Sequence, residues 1–533
     1  MEHSTPAEKV SQTPAAPRDV EAGDGHIVHN TRPDHVAVDN TKIEEKIRGV
    51  DHDAAADIFV GEGGVFEYDE DEARKVKWKL DLILLPMMTI TYLLSFIDKV
   101  ALGNASILGI RHDNHLVGQQ YSWASSIFYF GYILAQYPSS ILMQKLPIGR
   151  YLGVMIMCWG VASTCISATT NFATLATCRF FIGFFETCIS PIMTIYVGQY
   201  WTRREQPLRA CGWWIGAPLG GFVIDGLAYS ITSPSWGGGK YTQWQVLFLI
   251  WGPVTIAYGL FLVFFMPNSP TSAWFLSDRE RKIAVMRVIT NHTGIANRHY
   301  KKYQVLECLR DPQAWAYFSL ALLQCIVGSG LTNFDKIVYT SLGYDDHDAT
   351  KASFGGDGVQ LASLLIAGFV TVQYRNSRIL SSIISNLVVL LGSLLVYCIP
   401  QDQTKVRQGG LYILFVNTVT YIMVMSMISS NIGGFTKKAT CSVMVFLGYG
   451  IGQLIAPQFF LAKESPTYPT GFRAFYVSTA LMIAIQVALY IYLRFENRRR
   501  ERIAPAHNAE QQADAAAFLD MTDMEQPEFR YIT

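Results

Sequence analysis

From Leu80 onward the sequence is built from apolar runs of about 20 residues, the length that spans a hydrocarbon core of about 30 Å. Lipid offers no water to satisfy backbone N–H and C=O groups, so each run must close its hydrogen bonds internally, as a helix. The runs lie near 80–103, 121–143, 150–169, 172–197, 209–230 and 245–266. After a polar gap they resume near 313–332, 354–373, 379–399, 410–430, 440–461 and 474–494. The pattern predicts an all-α membrane protein of twelve transmembrane helices in two six-helix halves. The expected boundaries are a disordered tail over 1–75, a first half over 76–266, a charged connector over 267–312, a second half over 313–496 and a C-terminal tail over 497–533. Two helical halves joined by a polar connector is the layout of transporters built from parallel repeats.

Charged residues make up 16% of the chain, against about 25% in soluble domains. Formal net charge is zero, so no nucleic-acid partner is expected. The first 75 residues are rich in Asp, Glu, His, Pro and Thr and poor in large apolar side chains, too few to offset the entropy of ordering. The N-terminus lacks the basic-then-apolar pattern of a signal peptide. Nine cysteines stand singly, with no CxxC or metal-ligand spacing, so buried thiols are expected and no metal or cofactor.

Basic residues set the orientation. Placing both termini in the cytoplasm puts Arg74, Lys75, Lys77, Lys79, Arg203, Arg204, Arg209, Lys437, Lys438, the connector and "RFENRRRER" on the inner side. The outer loops keep only scattered cations such as Arg111, Lys240 and Lys463, as the positive-inside rule expects.

The stretch "TCRFFIGFFETCISP" carries Arg179 and Glu186 within the fourth run. Seven residues return a helix to within roughly 20° of one direction, so both face one side. At 1.5 Å per residue Arg179 lies roughly 10 Å deep and Glu186 roughly 10 Å deeper. Each charge costs about 2.5–3.5 kcal/mol on insertion scales, which points to a polar route rather than lipid. Arginine stays protonated and its planar fork matches a carboxylate, which suits Arg179 to hold an anion. A desolvated glutamate can cycle between neutral and charged forms, which suits Glu186 to carry a proton.

The first run ends "SFIDKVALGNASILG" and the seventh "NFDKIVYTSLG", a short echo between the halves. Lys99 reads either as a second anion contact or as a cation snorkelling to the interface, and neighbouring Asp98 is grouped with Glu186 for proton coupling. Asn333 stands beside Asp335 and Lys336 at the corresponding place in the second half. Gln453 and Asn431 either reach substrate or bond a neighbouring helix. Gly212, Gly216 and Gly220, four residues apart, predict close helix packing. Gly448, Gly450, Gly452 and Pro457 predict a bending point in the eleventh helix. Asn104-Ala-Ser106 is a glycosylation sequon set too close to a helix end to favour modification, and Asn291-His-Thr293 is expected on the cytoplasmic side.

Several stretches together resemble one family: "SFIDKVALGNASILGI", "QYSWASSIFYFGYILAQYPSSILMQKLPIGRYLG", "RFFIGFFE", "YWTRREQPLR", "MPNSPTSAWFLSDRER", "NIGGFTKKAT" and "PTYPTGFRAFY". From about 76 to 500 the chain resembles the major facilitator superfamily, and within it the allantoate permease branch of the anion:cation symporters. The resemblance implies proton-coupled uptake of an organic anion by alternating access, along a route lined by Lys99, Arg179 and Glu186. The chain departs from the family in three places: Asp98-Lys99-Val100-Ala101 replaces the common Asp-Arg-x-Asn, "QKLPIGR" lacks an acidic latch, and "GQLIAPQ" carries Gln453 and Ala456 in a substrate-facing motif.

These readings lead to a secondary transporter importing a small organic anion such as allantoate, ureidosuccinate, a vitamin-like carboxylate or a dipeptide. The expected substrate set is Arg179, Lys99, Asn333, Asn431 and Gln453, with Glu186 and Asp98 for the proton. The alternatives are export of a secondary metabolite by the same machinery and a nutrient sensor that barely transports. No HExxH, nucleophile elbow or P-loop occurs, so neither an enzyme nor direct ATP drive is expected. Expected partners are the substrate anion, protons and the bilayer, for a monomer in the plasma membrane.

Overall fold

The computed structural model describes residues 28–29, 35–39 and 65–533, apart from 203–204, 233–239, 290–300, 375, 401, 466, 504–521 and 527–528. The chain divides into two units, Met1–Lys75 and Val76–Thr533. The first holds three short antiparallel strands in the order β1 (Val28–His29), β2 (His35–Asp39) and β3 (Val65–Asp69). Regular structure therefore occurs inside the segment expected to be a tail. Residues 1–27, 30–34 and 40–64 of that segment, with Arg203, Arg204 and the Asn291 sequon, lie outside the described residues.

The second unit is the helical bundle. Its long helices are α1 (Glu70–Ile107, whose first turns belong to the first unit), α2 (Gln120–Lys145), α3 (Ile148–Ile166), α4 (Phe172–Tyr200), α5 (Leu208–Thr232) and α6 (Gln243–Phe265). They continue with α7 (Pro312–Ser341), α8 (Asp346–Gln373), α9 (Arg378–Cys398), α10 (Thr404–Asn431), α11 (Thr436–Phe459) and α12 (Pro469–Ile503). Eleven are long and apolar enough to cross a membrane by length and composition, and α2 adds a 26-residue helix.

Local chemistry sets the ends. Asn171 caps α4 by accepting from the Thr174 N–H at 2.9 Å, and Asp345 caps α8 by accepting from the Asp348 N–H at 2.7 Å. Thr242 and Gln245 form a capping box at α6, and Asp311 caps α7 ahead of Pro312. Two helices break inside. In α4 the regular helix stops at Glu186 and resumes at Ile189; Pro191 cannot donate to the Thr187 carbonyl four residues back and crowds it. In α5 the regular helix stops at Trp214, four residues before Pro218, and resumes at Gly216 in the same way. The α4 break places Glu186 at a corner.

Small residues bring helices together. A Cβ on Gly183 of α4 would collide with the Phe128 carbonyl of α2, and one on Gly220 of α5 would stand 2.6 Å from the Leu93 carbonyl of α1. Gly448 and Gly452 likewise pack on the α7 backbone at Phe318 and Leu322. The helix runs unbroken through them to Ile455 and tightens to a 3₁₀ turn only at Ala456–Phe459, beside Pro457. Those two glycines therefore serve packing, and the change of geometry comes after them.

At the bundle end away from the termini the halves are joined directly. Tyr121 of α2 donates to the Asn333 carbonyl of α7 at 2.8 Å, and the Ala462 N–H donates to Gln119 at 3.2 Å. Lys336 of α7 pairs with Asp225 of α5 at 3.2 Å. At the other end, the pairs Arg209–Asp81 at 2.6 Å and Arg287–Glu205 at 2.9 Å stay on the first half and its side of the connector. Lys437, fully buried at the start of α11, meets Glu307 of the connector, Asp311 and Asp523 at 2.8–3.0 Å. Asp523 shows that the described part of the C-terminal tail docks back on the second half. Arg500 reinforces that docking with 2.8 Å bonds to the Asp523 carbonyl and the Tyr531 hydroxyl.

Candidate substrate site

The site grows from α1, α2 and α4. Arg179 and Glu186 share one face of α4 and are 2% and 3% exposed, so both sit inside the bundle rather than against lipid. Glu186, at the α4 corner, receives two donors from α1: the Lys99 ammonium and the Ser95 hydroxyl, both on Oε1. Its Oε2 is buried with no hydrogen-bond partner. Lys99 also donates to Ser95 Oγ at 2.7 Å, so its ammonium turns inward and does not snorkel.

Arg179 is different. Its guanidinium lies 5.1 Å from the centre of the Phe128 ring, makes one long contact to the Asp98 carbonyl at 3.5 Å, and leaves Nε without a partner. Among the described residues, no carboxylate side chain lies within ion-pairing distance of it. Lys99 approaches the same ring at 5.7 Å. The result is two cations around one aromatic face with one carboxylate between them, a geometry that favours an incoming anion.

Asp98 points elsewhere. It accepts from the Trp159 indole at 2.5 Å and from Ser163 at 2.7 Å, both on α3. Two neutral donors satisfy it, so it ties α1 to α3 behind the cation pair. Asn333 is buried, and its amide donates to its own helix at Ser329. Gln453 lies at the seam of α7 and α11, where its backbone carbonyl accepts from Ser329 at 3.4 Å. Asn431 does not join them. Its amide donates to the Ile532 carbonyl and accepts from the Ile532 N–H, both at 2.8 Å, so it anchors the C-terminal tail instead. A short polar residue at a helix end gives no sign in the sequence of which partner it takes.

Residues 88–457 match the model of the Major Facilitator Superfamily. The chain belongs to that superfamily. Within it lies the allantoate permease-like branch, for the chain is 32% identical over 475 residues to the allantoate permease of Saccharomyces cerevisiae, covering 87% of each. It is also 32% identical over 467 residues to an uncharacterized transporter of Schizosaccharomyces pombe, covering 87% of this chain and 88% of that one. The thiamine pathway transporter of Saccharomyces cerevisiae is 28% identical over 491 residues, 91% of this chain and 92% of that one. Among solved structures, a bacterial homolog of the human lysosomal transporter Spinster shares the fold, with a TM-score of 0.52 at 14% identity over 86% of this chain and 98% of that one.

This superfamily member also carries an aromatic layer that sequence reasoning overlooks. Tyr92 of α1 packs on Trp213 and Trp214 of α5 with centroids 4.8 Å apart, and Trp214 meets Tyr421 of α10 at 5.3 Å. Tyr449 of α11 continues it to Tyr421 at 5.4 Å and to Tyr129 and Tyr132 of α2 at 6.4 Å. The layer crosses from one half to the other beside Phe128, which packs on Tyr129 at 4.7 Å. The 13% aromatic content is its only trace in the sequence, and content does not say which rings meet. Asp225 and Asp357, each alone in an apolar run, are also overlooked, although an ionisable residue at such depth is signal enough.

Proposed function

We propose that the chain is a proton-coupled importer of a small organic anion, working by alternating access as a monomer in the plasma membrane with both termini cytoplasmic. The observation that carries this reading is Arg179: a buried guanidinium with no carboxylate partner among the described residues, facing an aromatic ring beside a second cation. A permanent charge is kept in such a place when a ligand of opposite charge visits it. The name of the permease relative supports an anionic substrate.

The Lys99–Glu186 pair supplies the coupling. A proton taken by Glu186, at the open Oε2, neutralises the partner that holds Lys99. Lys99 then becomes a second cation for the substrate, so anion and proton each favour the other's binding. Asn333 and Gln453 are assigned to the second-half side of the substrate. Asp98 holds α1 in place through Trp159 and Ser163 while Glu186 titrates. With the termini inside, the joined end of the bundle faces outward, so the conformation described is the outward-closed one.

The test is uptake of labelled allantoate, ureidosuccinate, nicotinate and a dipeptide by cells displaying the protein, at acidic and neutral external pH, beside Glu186→Gln. Uptake of one anion that rises in acid and loses that rise in the variant supports the reading. No uptake of any of them by surface-localised protein moves the assignment to export or sensing.

A further inference from the structure

A second group of charges lies apart from the substrate site, where α5 of the first half meets α7 and α8 of the second. Asp225 of α5, Asp335 and Lys336 of α7 and Asp357 of α8 are 0%, 3%, 3% and 5% exposed. The Lys336 ammonium lies 3.2 Å from Asp225 Oδ2 and 2.9 Å from Asp335 Oδ2. Asn104 of α1 donates to Asp225 Oδ1 at 2.7 Å, and Ser353 of α8 donates to Asp335 at 3.4 Å. This contact also removes Asn104 as a glycan acceptor, since its amide is fully buried.

Three carboxyl groups thus face one cation. Lys336 serves two of them, and the third, Asp357, packs directly on the α5 backbone at Gly221, with its Oδ2 unpartnered. The Tyr339 hydroxyl, fully buried one turn along α7, is also without a partner. The other titratable groups facing this region are Tyr344, just past α7, and Tyr412 of α10, whose rings lie 6.4 and 6.5 Å from that of Tyr339, and His347 of α8, stacked on Tyr229 of α5 at 4.0 Å. On the α1–α2 side they are Tyr121 and Arg111, which lies 5.7 Å from the Tyr121 ring. None of these supplies a hydrogen bond or an ion pair to Asp357. An ionised carboxylate buried without donor or cation is strongly disfavoured, and a proton removes the charge where it stands.

We infer that the interface of α5, α7 and α8 is a proton-binding lock: Asp357 takes up one proton as this end of the bundle shuts and gives it back when the halves part. Parting the halves separates Asp225 from Lys336, lets water reach Asp357 and frees Lys336 to pair with it. The lock proton enters and leaves from the same side, so it sets how readily that end closes and is not the proton carried with substrate. The inference rests on the alternating-access reading above, but its ligand is the proton alone.

The test uses the full chain in lipid nanodiscs without substrate and with choline in place of sodium. Spin labels are placed at exposed Val117 and Asp402 on the joined end, with the native cysteines that label changed to serine. The interlabel distance is followed from about pH 5 to about pH 8, across ordinary carboxylate and histidine titration. One linked proton makes the closed-to-open ratio fall by up to about tenfold per pH unit. Asp357→Asn is expected to stay closed with no slope, and Asp357→Glu to keep the slope. A flat response in the parent, or the parental slope surviving in Asp357→Asn, overturns the inference. So does closure that requires sodium at constant pH. Because no substrate is present, the result stands whatever the uptake assay finds.

Discussion

Lys99 of α1 and Glu186 of α4 form a buried ion pair on one carboxylate oxygen, and the other oxygen is left without a donor. The pair joins two helices at the point where α4 breaks, so its state of charge bears on both substrate and helix.

Glu186→Gln keeps the acceptor for Ser95 and removes the titratable charge. Net uptake in this variant is expected to lose its pH dependence, up to about tenfold per pH unit for a single linked proton. Counterflow exchange of the same labelled anion, which needs no proton movement, is expected to persist.

Arg179→Lys retains charge but not the planar fork. A charge-assisted hydrogen bond contributes about 1.5–3 kcal/mol, which corresponds to a rise of roughly 10- to 150-fold in the half-saturating anion concentration. Arg179→Gln is expected to abolish saturable uptake while the protein still reaches the surface.

Asp98 is held by Trp159 and Ser163. Trp159→Phe leaves a buried carboxylate short of a donor and is expected to destabilise the protein by about 1–3 kcal/mol, read as thermal unfolding in detergent. If Asp98 instead served mainly as a proton carrier, the variant would shift the pH profile of uptake and leave the unfolding temperature unchanged.

Lys437→Met leaves Asp311 and Asp523 buried without their cation, and removing one member of such a pair costs about 3–5 kcal/mol. The deficit is expected to depend on pH. Burial already pushes the Asp311 carboxyl above its ordinary value and Lys437 opposes that rise, so the variant pushes it higher still. A carboxyl raised in the folded state is fully compatible with folding below its unfolded value of about 3.9, and that stability is lost as pH rises through the folded value. The gap between variant and parent is therefore widest near neutral pH and narrows in acid.

Gly183→Ala places a methyl against the Phe128 carbonyl. Backbone cannot yield as a side chain can, so α2 and α4 must separate and carry Phe128 away from Arg179. Reduced surface expression, with weakened anion affinity in the protein that remains, is the expected pair of outcomes.

The helices were legible because period and length are local properties. The α10 and α11 spans read as 410–430 and 440–461 emerge as Thr404–Asn431 and Thr436–Phe459, and the added turns at their starts are polar, beyond the lipid-compatible core. Arg179 and Glu186 stood out because charge inside an apolar run is anomalous wherever the helix packs. Asp225 and Asp357 carry the same signal singly, and only their meeting across two halves gives it meaning. Asn431 misled because a polar side chain at a helix end is equally suited to substrate, a neighbouring helix or a returning tail.

The sequence by itself determined that this chain crosses a membrane as helices, that the helices form two halves and that one of them carries opposed charges on one face. Each follows from periodicity and from the cost of putting polar groups in lipid. Only the tertiary structure decided which charges meet. Glu186 answers to Lys99 and not to Arg179, Asp98 faces α3, and Lys336 reaches across to Asp225. Those choices depend on how far apart helices distant in sequence come to lie, and that distance is set by packing across the whole bundle.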